Sequence, residues 1–141
     1  MRSSVRATYG QRVREWPLLA RADELELWRR GVAGVVRGWG ASPSAVELVR
    51  LGVTELLSNV LRHVDDHACC LVLSALGDAI VVHVLDRSAV LPEVGETPDW
   101  DAQSGRGLWM LREMADGFGS EPLDGTTYKK VVWFRCNLVG R

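Results

Sequence analysis

Residues 42–63, SPSAVELVRLGVTELLSNVLRH, spell out a helix together with its own start signal. Ser42 offers a side-chain oxygen to the free amides of a first turn, and the ring of Pro43 fixes a φ that suits it. Val46, Val49, Val53, Leu56 and Val60 then recur at three and four, the period of one buried helix face, so the helix should reach about His63. Gly52, Glu55, Asn59 and Arg62 run along a neighbouring stripe. Glu55 and Asn59 are four apart, so their directions differ by about 40° and one ligand can touch both.

Working outward, Val13 to Leu19 suits an edge strand or an extended lead-in, because Trp16-Pro17 argues against a central strand. From Asp23 onward, Leu25, Trp28, Val32, Val35, Val36 and Trp39 give another amphipathic helix that Gly40 can end. Ala68 to Ala75 and Ala79 to Leu85 are β-rich runs joined at Gly77-Asp78, a pair that tolerates the positive φ of a tight hairpin. Between Asp86 and Gly105 the periodicity disappears, and a loop this long in a small domain either works or is disordered. Leu108, Leu111, Met114 and Ala115 make a short helix closed by Asp116-Gly117. Strands at Phe118 to Glu121 and about Thr127 to Asn137 follow, around Asp124-Gly125. The order predicts an α+β two-layer sandwich, a mixed, mostly antiparallel sheet with three helices on one face.

Bulk properties narrow the function classes. With 141 residues, 47% of them hydrophobic, the chain suits a single domain over 1–141, with 1–12 expected to be flexible. A net charge of −1 gives no global reason to bind nucleic acid, and Arg29, Arg30 and Arg37 read best as a solvated helix face. No apolar run is long enough for a membrane span and Met1 to Arg14 lacks an export core, so a cytoplasmic location with no membrane partner is expected. Cys69, Cys70 and Cys136 read as core thiols, and His63 with His67 lacks a third ligand for a transition metal.

Three short motifs carry chemistry. The Asn59 side-chain oxygen can bind Mg²⁺, a hard ion that completes its shell with waters and phosphate, and Glu55 beside it can accept a proton in phosphoryl transfer. Asp86 ends an apolar strand, where a carboxylate is expensive to bury unless something donates to it. An adenine amino group is such a donor, but Asp86 serves equally well as the first residue of a turn. Gly105, Arg106 and Gly107 precede Leu108 at a helix start, where free amides attract anions, and Arg106 or Lys130 can add charge for phosphate. The bland alternatives are a polar helix face and an ordinary glycine-containing turn.

In this order, from about Ser42 to Cys136, the motifs resemble the nucleotide site of the GHKL superfamily, the Bergerat-fold ATPases and kinases that include DNA gyrase B, histidine kinases and MutL. The chain looks most like bacterial anti-sigma-factor serine kinases of the RsbW type and their stand-alone relatives. The resemblance implies ATP and Mg²⁺ as cofactors, Glu55 as catalytic base, and Asn59 as the Mg²⁺ ligand. It places His63 near the phosphates and Asp86 on adenine, with Gly105, Arg106, Gly107 and Leu108 against the phosphates under a lid formed by residues 87–104. It also implies a STAS-type anti-anti-sigma protein and a sigma factor as partners, and suggests a homodimer. One box departs from the family: Asp86-Arg-Ser88-Ala-Val90 stands where Asp-x-Gly-x-Gly is usual, which should stiffen the loop. The threonine that often supports adenine is also displaced, leaving Thr126 or Thr127 as substitutes. A binding protein of the same fold, capturing its partner without phosphotransfer, is the alternative those missing glycines favour.

Overall fold

The computed structural model describes residues 12–96, 105–125 and 127–139. In chain order these form β1 (Arg12–Leu19), a 3₁₀ turn (Ala22–Glu24), α1 (Leu25–Gly38), α2 (Pro43–His63), β2 (Ala68–Leu76), β3 (Ala79–Asp86), α3 (Gly105–Met114), β4 (Gly117–Pro122) and β5 (Lys130–Asn137). The strands make one sheet in the order β1-β2-β3-β5-β4. Every pairing among them is antiparallel, which corrects the expectation of a mixed sheet.

Local chemistry sets the boundaries. Ser42 Oγ accepts from the Ala45 amide at 3.2 Å, and Pro43 opens α2 as the sequence predicts. Past Val64 the chain reverses through His67, which adopts φ 58, and Asp66 Oδ1 accepts from the Ala68 amide at 3.0 Å. Gly77 takes φ 63 in the two-residue connection between β2 and β3, a conformation that favours glycine. Pro17 sits on the outermost strand, where a missing amide donor is tolerable.

The alternation of the strands gives the sheet one covered face. Leu71, Leu73, Ile80, Val82, Val84, Val132 and Phe134 point to it and join Val32 and Val36 of α1, Val49, Val53, Leu56 and Val60 of α2, and Leu108 and Leu111 of α3 in one core. Trp16 meets Trp28 edge-on with ring centroids 5.8 Å apart, fastening β1 to α1. The opposite face carries Val72, His83, Leu85 and Trp133, with Gly119 making room for the Trp133 ring. Among the described residues no helix is long and apolar enough to cross a membrane.

Several expectations shift at the margins. Arg12 belongs to β1, its guanidinium donating to the Trp39 carbonyl at 3.2 Å, so the flexible segment expected over 1–12 does not include it; residues 1–11 lie outside the described residues. The last strand begins at Lys130 instead of Thr127. Thr127 is exposed ahead of it and Thr126 lies outside the described residues. Met114, expected on the apolar face of its helix, is 56% exposed because the helix ends there.

Gly52 shows how close α2 lies to the sheet: a Cβ at this position would fall on the ring of Phe134, which is fully buried. Gly52→Ala should therefore destabilise the fold by about 1–3 kcal/mol, as overpacking a rigid core does. Urea unfolding checks this, and an unchanged midpoint would mean the ring has room to move.

Candidate functional site

The flank of α2 that is not spent on the core faces α3 and the loop after β3. There Asn59, 3% exposed, and His63 line a cavity of about 430 Å³ together with Leu108 of α3, Val90 to Glu93 of the loop, and Lys130 of β5. Its size falls in the range of small-ligand pockets, and its walls mix apolar side chains with a few polar groups. Four of the residues singled out from the sequence, Asn59, His63, Leu108 and Lys130, thus come together around one space.

Asp86 is fully buried at the end of β3 and does not itself line the cavity; Lys130, which does, links the two. Strand pairing sets Asp86 directly opposite Lys130, and the Lys130 ammonium lies 2.9 Å from Asp86 Oδ1. The same oxygen accepts from the Ser88 amide at 2.9 Å, so Asp86 also starts the turn that the bland reading anticipated. Lys130 is therefore not a free charge for phosphate, as the sequence suggested, but the counterion of the carboxylate. Asp86 Oδ2 is buried without a hydrogen-bond partner. An acceptor in that state is costly unless a donor reaches it, and an amino N–H of a nucleobase is a donor of the required kind. Cys69, opposite Asp86 on β2, has its thiol pushed up to about 12, chiefly by burial and further by the Asp86 charge and Cys70, which keeps it protonated and structural.

One turn before Asn59 on α2, and outside the lining of the cavity, Glu55 reaches the first turn of α3, coming up against its Gly107. A Cβ on Gly107 would fall on the Glu55 carboxylate, so any other residue there would push the end of this flexible side chain out of its present position. Burial pushes the Glu55 carboxyl up from its ordinary value, and Arg62 pulls it part of the way back. Gly105, Arg106 and Gly107 form the opening turn of α3. Arg106 is exposed, and Leu108, 4% exposed, anchors the turn in the core.

The expected lid, residues 87–104, is described as far as Glu96 and has no helix or strand there; 97–104 lie outside the described residues. Arg87 pairs with Asp66 at 2.7 Å, holding the start of the loop to the turn after α2. Further along, Arg112 donates to the carbonyls of Val94 at 2.9 Å and Gly95 at 2.6 Å, and the Trp109 indole donates to the Glu96 carbonyl at 2.9 Å. Sequence reasoning missed this pair. Trp109 and Arg112 are three apart on the helix flank next to Leu108 and Leu111, a spacing that marks a shared direction but not the loop they hold.

Asn59 fits a nucleotide's metal, offering one neutral oxygen to a hard cation that draws its remaining ligands from phosphate and water, whereas the unpartnered Asp86 Oδ2 lies behind Lys130, outside the lining of the cavity. Independently, a family model described as a histidine kinase-like ATPase domain matches residues 18–135, and the chain belongs to that family. No curated protein matches it.

Removing one partner of the buried pair should be far worse than removing both. Asp86→Ala is expected to cost about 3–5 kcal/mol by stranding the ammonium, whereas Asp86→Ala combined with Lys130→Met should recover most of the loss. Thermal unfolding of the two variants beside wild type measures this, and equal losses would mean the ion pair does not dominate at this site.

Proposed function

We propose that this histidine kinase-like ATPase is a protein serine kinase of the anti-sigma-factor type, which phosphorylates a STAS-domain antagonist and sequesters a sigma factor or similar regulator. Family membership supports the coarser statement, an ATP-binding regulatory protein. The observation that carries the finer one is the approach of Glu55 to Gly107, which sets a carboxylate with a raised pKa beside the amides that open α3, one helical turn from the buried Asn59.

Bound ATP supplies the phosphoryl group and departs as ADP; the chain supplies everything around it. Asn59 would hold Mg²⁺ through its side-chain oxygen. Gly105, Arg106, Gly107 and Leu108 direct backbone amides, and Arg106 a guanidinium, toward the phosphates. Glu55 takes the proton of the serine hydroxyl as that oxygen attacks. A base whose carboxyl is raised by burial is better matched to a proton near neutral pH than a solvated glutamate is. His63 lies near the phosphates and Asp86, with Lys130 as its counterion, marks the base end, while Val90 to Glu93 of the loop line the same cavity as His63 and Lys130.

The second reading is stoichiometric capture of the partner without phosphotransfer, and the Asp86–Lys130 pair favours it. A carboxylate already neutralised from within binds adenine less strongly than a free one. Under this reading partner binding ignores both added nucleotide and Asn59→Ala.

Incubation with labelled ATP, Mg²⁺ and a candidate STAS protein separates the two readings. Kinase action predicts a labelled serine on the STAS protein, with Glu55→Gln abolishing transfer while nucleotide still binds; transfer undiminished in Glu55→Gln removes the proposed base. The raised Glu55 pKa also has a signed consequence for stability. Its folded pKa lies above the unfolded one, so its contribution is fully present below the unfolded value and lost as pH rises through the folded value. Glu55→Gln should thus stabilise the fold at neutral pH relative to wild type, with the advantage shrinking in acid. Denaturant midpoints at several pH values check this, and an advantage that grows in acid would contradict the assignment.

A further inference from the structure

One part of the cavity lining is built differently from the rest. Asn59 of α2, Leu108 of α3 and Lys130 of β5 are 3%, 4% and 1% exposed, and each belongs to an element seated in the core. Val90 to Glu93 lie instead in a stretch with no helix or strand, held between two anchors. Before them, Asp86 Oδ1 accepts from the Ser88 amide at 2.9 Å, and Ser88 Oγ accepts from the Val90 amide at 3.2 Å. After them, Val94 packs on the core and two side chains of α3 hold three consecutive carbonyls. The Arg112 guanidinium donates to Val94 at 2.9 Å and to Gly95 at 2.6 Å, and the Trp109 indole donates to Glu96 at 2.9 Å.

The first anchor is made within the turn that follows β3. The second reaches across from another element, and all its acceptors are main-chain oxygens. A segment opens most easily where it buries little apolar surface and is tied by few bonds. Val90 is 74% exposed and Leu91 36%, so this wall loses little by moving, and the second anchor is what fixes it. A guanidinium suits that task, because its Nη1 and Nη2 each take one of two adjacent carbonyls.

We propose that Arg112 and Trp109 are positioning residues that latch this wall, and that ligand enters and leaves the cavity by release of the latch. The inference rests on the nucleotide reading above and adds how the site is reached. Neither residue lines the cavity, so release should cost the same whether it is filled or empty. The latch then slows entry and exit by one factor, which cancels in the dissociation constant. A residue that shaped the bound state would change the constant itself.

Calorimetry of the full chain with ADP and Mg²⁺ gives the dissociation constant, and a chase of labelled ADP by excess unlabelled ADP gives the dissociation rate. Arg112→Met should raise that rate about tenfold while the constant stays within about twofold of wild type. Trp109→Phe, which removes one of the three bonds, should raise it by about threefold. Hydrogen exchange of the unliganded Arg112→Met protein should quicken over Val90 to Glu96 and stay unchanged in α2. Unchanged exchange, ADP leaving at the wild-type rate, or a constant that weakens in step with the rate overturns the inference and leaves the nucleotide site standing. Wild-type protein that binds no ADP overturns both. Should Arg112→Met fail to fold, Trp109→Phe decides by the same measurements.

Discussion

Close approach at two glycines governs how α2 is seated. Gly52 lets the helix settle onto the Phe134 ring, and Gly107 lets the opening turn of α3 come up against Glu55. A helix held on the sheet at one point and against a second helix at another has little freedom to rotate. Its apolar stripe is consumed by the core, and the stripe beside it, with Glu55, Asn59 and His63, is left facing α3, the loop after β3, and the start of β5. The site is thus a by-product of how the core is packed. The polar groups need no special device to converge because their helix cannot turn them elsewhere.

The buried ion pair is a separate decision, made by the sheet. β3 and β5 are antiparallel neighbours, and their register sets Asp86 opposite Lys130. Two charges removed from water seldom stabilise a fold more than apolar side chains of the same size, so such a pair is more informative about specificity than about stability. Here it lies at the junction of core and cavity. Its carboxylate also takes the Ser88 amide, fixing the course of the loop in a stretch that lacks the glycines usual in the family.

Much of this was legible in the sequence because it is local. Ser42-Pro43 marks the first turn of α2, Gly77-Asp78 marks the hairpin, and the three-and-four spacing of valines and leucines marks the buried faces. The sharing of one flank by Glu55 and Asn59 follows from helical period alone. What could not be read was mutual placement across distance. Nothing within a few residues of Asp86 announces a lysine 44 positions later, since strand register depends on connections the intervening loop conceals. The assignment of Lys130 to phosphate failed for that reason: a lysine near a glycine-framed helix start looks like an anion ligand until its strand partner is known. Whether the sheet held a parallel pair was not legible for a related reason, because the order of elements permits one and only the pairing directions exclude it.

Trp109 sits at the seam between α3 and the loop, its indole bonded to the Glu96 carbonyl, while Trp16 and Trp28 lie against each other on the far side of α1. Indole emission shifts in colour and intensity when its N–H exchanges a carbonyl for water. The chain therefore carries an intrinsic fluorophore bonded to the loop whose Val90 to Glu93 line the cavity, so that excursions of this loop can be followed by light without attaching a dye, once the other tryptophans have been replaced by phenylalanine.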